Sequence, residues 1–284
     1  MKKIKIITDT ASDITLELAK QNDIHLIPIN INIDGVSYKD RYDIECDKFI
    51  KILPKCKELP KTAQITVSEH YDEFKKFSDE YTIIYCCISA KASGTCQSAH
   101  MAKQMIEEEN PDADINIVNC NTFSYCYGYW VLKAAEMAKS GATAKEIIDM
   151  IETNSEQTEA IFVVDDLNYL EKGGRIKPAA KIVGNILDIK PILTIEDGLI
   201  GSKDKVRGSK KINKKLLDIL IKDIREDYDQ TVIILHTNAT DKAEELKAQL
   251  LENTPFKNTV IAEIGPTISV HTGPGVCAYA FLKK

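Results

Sequence analysis

The 284-residue sequence has no long hydrophobic run, little aromatic content and no strong excess of one charge. A membrane-spanning helix needs about 20 consecutive apolar residues, so a helical transmembrane protein is excluded. Residues 1–9 turn polar too early for a secretory signal peptide, and we therefore expect a cytoplasmic protein. With 44% hydrophobic and 28% charged residues the composition is that of a globular chain. At about 100–200 residues per domain, its length predicts one large or two moderate domains.

The sequence also lacks any C-x-x-C pair among its eight cysteines. This disfavours a structural zinc site and a thioredoxin-type redox site. In a chain without a secretory signal, reduced cysteines mostly serve as small buried hydrophobic residues, and we expect that role here. We predict no metal and no cofactor.

The net charge of −6 conceals an uneven distribution. Residues 172–215 hold twelve Lys or Arg and four Asp or Glu, a local net charge of +8, which leaves −14 on the remaining 240 residues. Such a segment is either a solvated face or a docking surface for an anionic partner. Nucleic acid is disfavoured as that partner, because the segment has no interleaved aromatics and the whole chain is acidic, with a pI of about 5.5.

Short β-branched runs alternate with amphipathic stretches through the first half of the chain, a pattern typical of βαβ units and a mostly parallel sheet. The second half carries Glu196-Asp197-Gly198 between two apolar runs, which predicts a hairpin and antiparallel pairing. A helix is predicted over residues 178–187. We therefore predict an α/β fold with an N-terminal α/β/α sandwich over residues 1–158 and a C-terminal α+β domain over residues 159–284.

Several polar motifs fall at predicted strand ends or helix starts, where α/β sheets place their ligands. Residues 8–13 predict an ordinary turn in which Ser12 or Asp13 caps the next helix. Ser93 is expected to cap a helix that follows, and Gly94 and Thr95 would offer backbone N–H groups to an anion there. Further motifs are Pro60-Lys61-Thr62-Ala63-Gln64, a Gly173-Gly174 pair expected to direct Arg175 outward, and His271 before a Gly-Pro-Gly turn.

Together these motifs resemble the DegV family, which includes the fatty-acid-binding proteins known as FakB. The resemblance spans the chain through six ordered motifs. Ala63, Ile65 and residues 119–121 depart from the usual family pattern, which leaves the detail of the pocket mouth open. The six motifs are T-D-T-x-x-D at residues 8–13, P-x-T-x-Q at 60–64, S-x-x-x-S-G-T-x-x-S-A at 89–99, L-x-x-L-x-x-G-G-R-I at 167–176, K-P-I-L at 190–193 and H-x-G-P-G at 271–275.

The resemblance implies a two-domain protein that is not itself an enzyme and that holds one long-chain fatty acid between its domains. Matched position by position, Thr62, Ser93 and His271 would contact the carboxylate, with support from Gly94 or Thr95. The family presents the bound carboxylate to a separate fatty acid kinase (FakA), which forms an acyl phosphate for phospholipid synthesis. Arg175 and Arg207 match the positions that engage this kinase.

Two alternatives remain open from the sequence. The chain could bind another lipid or apolar carboxylate. It could also be a hydrolase with Ser93 as nucleophile and His271 as base, although no G-x-S-x-G elbow surrounds Ser93. A nucleotide-dependent enzyme is disfavoured, because the sequence contains no G-x-x-x-x-G-K-[ST] loop.

Overall fold

A computed structural model describes residues 2–178 and 189–284. The first half contains a four-stranded parallel sheet of order β2-β1-β6-β7. Strands β1 and β6 are almost continuously buried, as expected for a parallel sheet covered on both faces. The strands are β1 (Lys3–Asp9), β2 (His25–Ile27), β6 (Tyr81–Cys87) and β7 (Asp114–Asn119).

Helices of the first half pack in pairs against this sheet. Helix α3 contacts α4, and α5 contacts α6, with α4 touching β7 and α5 touching β1. Thr66 and Thr143 begin α3 and α6 through capping boxes with Glu69 and Glu146. The helices are α1 (Leu16–Gln21), α2 (Cys46–Ile52), α3 (Val67–Lys75), α4 (Thr95–Glu109), α5 (Tyr125–Lys139) and α6 (Ala144–Gln157).

A small antiparallel sheet of order β4-β3-β5 is inserted between β2 and α3. The sequence predicts a single strand over residues 26–33, whereas the structure has β2 and β3 in two different sheets. Pro28 and Ile29 separate them, and proline has no N–H to donate to a continuing ladder. The three strands are β3 (Asn30–Ile33), β4 (Val36–Lys39) and β5 (Lys61–Ala63).

The second half forms a six-stranded mixed sheet of order β10-β9-β8-β13-β11-β12, in which only β11 and β12 run parallel among the described pairs. The predicted antiparallel pairing and the hairpin at residues 196–198 are thus confirmed. The strands are β8 (Thr158–Val163), β9 (Ile189–Glu196), β10 (Leu199–Arg207), β11 (Val232–His236), β12 (Thr259–Glu263) and β13 (Cys277–Leu282). The helices are α7 (Asn168–Gly173), α8 (Ile212–Asp223), α9 (Thr240–Asn253) and α10 (Pro266–Thr272). The helix predicted over residues 178–187 lies outside the described residues except for Pro178.

The mixed sheet separates two hydrophobic cores, because successive side chains along a strand point to opposite faces. On β8, Ile161 and Val163 pack with α8 and α9, whereas Ala160 and Phe162 join the core of the first half. Strand β13 alternates in the same way, with Tyr279 on the outer face and Ala278 on the inner face. The inner face of this sheet therefore packs directly against the first half. A boundary between domains at residue 158 stays a prediction, although the mixed sheet begins at that position.

No helix in the described ranges is both long enough and apolar enough to cross a membrane.

Candidate functional site

A cavity of about 390 Å³ lies between the inner face of the mixed sheet and the polar loops of the first half. This volume is within the range of about 300–1,000 Å³ typical of small-molecule sites. Most of the lining is apolar and comprises Ile29, Ile88, Phe123, Ala160, Phe162, Ile195, Ile200, Leu235, Ile264, Ile268, Val276 and Ala278.

Thr62 and His271 form a hydrogen-bonded pair in the cavity wall. The Nε2 atom of His271 lies 3.1 Å from Oγ1 of Thr62, while the buried Nδ1 atom has no hydrogen-bond partner among the described residues. Burial, and secondarily the positive charge of Arg175, lower the pKa of His271 to about 4. The imidazole is therefore neutral near pH 7. A nearby cation favours a lone pair at the unpartnered Nδ1, so we assign the hydrogen to Nε2, which donates it to Thr62.

Ser93 lies in the cavity wall just before α4 and is held by Thr95. The Ser93 Oγ atom accepts from the Thr95 N–H at 3.3 Å and lies 2.9 Å from Thr95 Oγ1. Thr95 Oγ1 in turn accepts from the N–H of Ile65 at 3.4 Å. The sequence-based expectation that Ser93 caps this helix is wrong, because Gly94 occupies the cap position. Thr95 is fully buried and lies outside the cavity lining, so it supports Ser93 from behind.

These bonds leave the hydrogens of two hydroxyl groups free to point into the cavity. Thr62 Oγ1 accepts from His271, and Ser93 Oγ accepts from the Thr95 N–H. Either hydroxyl of the Ser93–Thr95 contact can be the donor; we assign Thr95 as the donor, because its buried hydroxyl hydrogen has no other acceptor among the described residues. The Thr62 and Ser93 hydroxyls each have one hydrogen to donate, and neither hydrogen is used by these contacts. The predicted residues Thr62, Ser93, Gly94 and His271 thus line one cavity, and the free hydroxyl hydrogens of Thr62 and Ser93 are donors for an anionic or carbonyl group.

Gly94 permits a close approach between two loops of this wall. A Cβ atom at residue 94 would lie 2.0 Å from Oε1 of Gln64, whose Nε2 donates to Ser98 Oγ at 3.0 Å. Any larger residue at position 94 must therefore displace the Gln64 amide. Gln64 belongs to a quoted sequence motif, but nothing in its spacing indicated that it would join α4 to the segment that carries Thr62.

A second, more polar depression of about 570 Å³ adjoins the cavity, and Thr62, Arg175 and His271 line both. Its other charged lining residues are Glu58, Lys61 and Lys172. The Thr62–His271 pair therefore stands at the boundary between an apolar chamber and a charged outer depression. This is the arrangement expected for a ligand with an apolar body and a polar head group.

Arg175 does not project outward as the sequence predicts. Its Nε donates to the carbonyl of Ala92 at 3.1 Å, and its Nη1 donates to the carbonyl of Gly173. Gly173 itself packs on the histidine, since a Cβ there would lie 2.6 Å from His271 Nδ1. Arg175 is therefore part of the site, half-buried beside the Ser93 loop. Arg207, at the end of β10, is exposed.

Buried charges behind the cavity were missed by the sequence analysis. Thr15, rather than Ser12 or Asp13, caps α1. Asp13 instead contacts Arg41 at 3.2 Å and accepts from the N–H of Gly265 at 2.8 Å, which ties the first turn to the segment just before α10. Asp40 accepts from Thr267 within α10. No periodicity marks Asp40 and Arg41 in the sequence, and only the fold places them beside α10.

Neither a hydrolase pair nor a metal cluster is found in the described part of the chain. Ser93 and His271 have separate hydrogen-bond partners, Thr95 and Thr62 respectively, instead of bonding to each other. No group of three or more His, Cys, Asp or Glu residues is placed to hold a metal ion across residues 2–178 and 189–284. Seven of the eight cysteines are buried, as predicted, and Cys56 is half-buried.

Comparison with known proteins gives one consistent result. The profile of the DegV family, described as uncharacterised proteins, matches residues 3–284. A DegV domain-containing protein of Caldanaerobacter subterraneus subsp. tengcongensis is 35% identical over 285 residues, covering 100% of both chains. The crystal structure of a fatty acid binding DegV family protein from Streptococcus agalactiae has a TM-score of 0.87 at 32% identity, covering 99% of this chain and 98% of that one. The structure of a fatty-acid-binding DegV family protein from Thermus thermophilus has a TM-score of 0.88 at 25% identity, covering 99% of this chain and 100% of that one.

Proposed function

The chain belongs to the DegV family, and we propose that it binds one long-chain fatty acid with the carboxylate at Thr62 and Ser93 and the acyl chain in the apolar cavity. The observation that carries this proposal is the pair of free hydroxyl hydrogens in the lining of a mostly apolar chamber. Fatty acid binding by the Streptococcus agalactiae and Thermus thermophilus relatives supports it.

The two ends of such a ligand would be held by different forces. Hydrogen bonds from Thr62 and Ser93 to a carboxylate are charge-assisted and therefore stronger than those between neutral groups. The hydrocarbon tail supplies most of the affinity, at about 0.8 kcal/mol for each buried CH₂ group.

His271 has a positioning role in this proposal rather than a charge-pairing role. A protonated imidazole would provide a countercharge, but the pKa of about 4 keeps this ring neutral at physiological pH. Its Nε2 hydrogen instead fixes the Thr62 hydroxyl so that the hydroxyl hydrogen faces the ligand. Arg175 lines the same cavity and lowers the pKa of His271, so it supplies positive charge close to this site.

We further propose that the protein is a lipid-binding subunit that presents the carboxylate to a separate fatty acid kinase, whose acyl phosphate product feeds phospholipid synthesis. The charged outer depression beside Thr62 supports this step, because it gives a second protein access to the head group. Exposed Arg207 is suited to an acidic partner surface. Arg175 holds the Ala92 carbonyl, so its contribution to docking is combined with one to the shape of the site. The cytoplasmic location stays a prediction from the sequence.

Native mass spectrometry of the purified protein, followed by lipid extraction, tests the proposed ligand. We expect a mass increase that corresponds to one fatty acid, and exchange for added hexadecanoate in stripped protein. A protein that purifies empty and takes up no fatty acid would contradict the proposal. Extraction of a different apolar carboxylate would correct the ligand class while retaining the site.

The hydrolase alternative has a separate test. Incubation with an activated ester should release product without a burst, because Ser93 has no base bonded to it. A burst that disappears in Ser93→Ala would favour the enzyme.

A further inference from the structure

Three hydroxyl-bearing residues line the cavity in addition to Thr62 and Ser93. The hydroxyl of Thr272 bonds to backbone carbonyls, whereas those of the other two, Ser124 and Thr267, bond to buried acids. Both residues are almost fully buried, at 4% and 3% exposure. Ser124 Oγ donates to Asp13, and Thr267 Oγ1 donates to Asp40 Oδ2 at 2.5 Å. Because each hydroxyl has a single hydrogen and directs it at a carboxyl group, each oxygen is left with only lone pairs to offer a ligand.

The cavity therefore carries two polar sites of opposite hydrogen-bonding character. Thr62 and Ser93 offer hydrogens, which suits a carboxylate. Ser124 and Thr267 offer lone pairs, and within the described ranges neither oxygen accepts a hydrogen bond. Donation to a buried acid strengthens a hydroxyl oxygen as an acceptor, because hydrogen bonds in a chain polarise one another.

The structure around these two oxygens contains features that lower folding stability. Ser124 has a φ of 59°, a left-handed conformation that a residue with a side chain rarely adopts. Asp40 is fully buried, and its Oδ1 atom has no partner in the described part of the chain. Strained backbone and unsatisfied polar atoms concentrate where a ligand is recognised.

The position of Thr267 relative to the carboxylate site follows from helix geometry. Thr267 and His271 both lie on α10, four residues apart, which is about one turn and about 6 Å along the axis. Both residues line the cavity, so a ligand whose carboxylate binds beside His271 and whose chain follows α10 meets Thr267 within the first part of that chain.

From this geometry we infer that the preferred ligand is a fatty acid with a hydroxyl group near its carboxyl end, which donates a hydrogen bond to Thr267 with Ser124 as a second acceptor. The inference rests on the proposed fatty acid function. An unsubstituted chain leaves both oxygens facing CH₂ groups, whereas a hydroxylated chain gives them the donor that they lack. A site that bonds a ligand hydroxyl discriminates against the analogue without one.

Calorimetric titration of stripped protein tests the inference with four probes: hexadecanoate and its 3-hydroxy, 6-hydroxy and 16-hydroxy derivatives. We expect at least one of the 3-hydroxy and 6-hydroxy acids to bind about 2- to 10-fold more tightly than hexadecanoate, as for one additional net hydrogen bond. The 16-hydroxy acid should gain nothing. Equal affinity for hexadecanoate and both proximal hydroxy acids would overturn the inference, and so would an equal gain for the 16-hydroxy acid.

A matched pair of variants locates the effect. The quantity compared is the ratio of the dissociation constant of hexadecanoate to that of the tighter proximal hydroxy acid. Thr267→Ser keeps the hydroxyl and should keep this ratio, whereas Thr267→Val should bring it to one. If Thr267→Val does not fold, the same ratio is measured for Ser124→Ala, and we expect it to be lower than in the wild type. An unchanged ratio in the folded variants would place the hydroxyl elsewhere and overturn the assignment. Failure of hexadecanoate and all hydroxy acids to bind contradicts the fatty acid function itself, whereas tight hexadecanoate binding without hydroxyl preference contradicts only this inference.

Discussion

The Nε2 atom of His271 lies 3.1 Å from the Oγ1 atom of Thr62, although 209 positions separate the two residues in the chain. The bond joins α10 to β5 and so connects the mixed-sheet half of the molecule to the small inserted sheet. Because the neutral ring can only donate through Nε2 when Nδ1 carries the lone pair, this single contact determines the direction in which the Thr62 hydroxyl points.

Removing either free hydroxyl should weaken fatty acid binding. We expect Thr62→Val and Ser93→Ala each to cost about 1–3 kcal/mol of binding free energy, as for hydrogen bonds to a charged acceptor. Titration with a fluorescent fatty acid measures the change. Ser140→Ala is the matched control, since Ser140 lies at the far end of α5 and its hydroxyl donates to the Glu136 carbonyl. Unchanged affinity in both site variants would show that the carboxylate binds elsewhere.

Gly94→Ala should weaken binding through a steric effect on Gln64. The added methyl group would occupy the position of the Gln64 amide, break its bond to Ser98 and shift the Ser93 loop. Combining Gly94→Ala with Gln64→Ala removes the obstructing amide, so the double variant should bind more tightly than Gly94→Ala alone. Additive losses of affinity would contradict this coupling.

His271 should make the folding stability depend on pH. Its folded pKa of about 4 lies below the ordinary value of 6.5, so the unfolded state binds more protons between these values. This group therefore stabilises the fold above about pH 6.5, and its contribution decreases as the pH falls towards 4. Buried Asp9 and Asp40 act in the opposite direction, because burial raises their pKa values to about 6 and about 7.

Comparison with a non-titrating variant isolates the histidine contribution. His271→Gln keeps a donor for Thr62, and denaturant unfolding of both proteins at several pH values gives the difference. The free energy of unfolding of the wild type should fall relative to the variant by up to about 1.4 kcal/mol per pH unit between pH 6.5 and 4, the slope for one proton. If the free energies of unfolding of the two proteins depend on pH in the same way, His271 is not buried in its neutral form.

Charge reversal should separate kinase docking from ligand binding at Arg207 but not at Arg175. Arg207→Glu should leave fatty acid affinity intact and reduce acyl phosphate formation with a purified fatty acid kinase, since this side chain is exposed at the end of β10. Arg175→Glu should impair both, because the guanidinium bonds to Ala92 beside Ser93. Lys145→Glu controls for the loss of positive charge, because the Lys145 side chain is 82% exposed on α6. Full acyl phosphate formation by Arg207→Glu would contradict the docking proposal.

Local sequence signals predicted those parts of the fold that depend on neighbouring residues. The hairpin turn at Asp197 and Gly198 forms as expected because both adopt positive φ values, 54° and 72°, which Asp-Gly pairs accept readily. The end of helix α5 is local in the same sense, because Gly141, just beyond Lys139, adopts a φ of 86°, which glycine accepts readily.

Features set by distant contacts were beyond such signals. The inward turn of Arg175 depends on the carbonyl of Ala92, 83 positions away, and the support of Ser93 by Thr95 depends on the Ile65 backbone. The family resemblance singled out Thr62, Ser93 and His271, and all three line the same cavity; their contact with a carboxylate stays a prediction. It gave no sign of Ser124 and Thr267, because their significance comes from hydrogen bonds to buried acids.

The order of the strands also has a consequence for synthesis of the protein. Strand β13 follows the other strands along the chain, yet it lies in the interior of the mixed sheet between β8 and β11 and contributes Ala278 to the cavity wall. Until residues 277–282 have emerged from the ribosome, β8 and β11 lack the partner strand that they share. The chamber can therefore close only after β13 has emerged, and this sets the earliest time at which the protein can take up its proposed ligand.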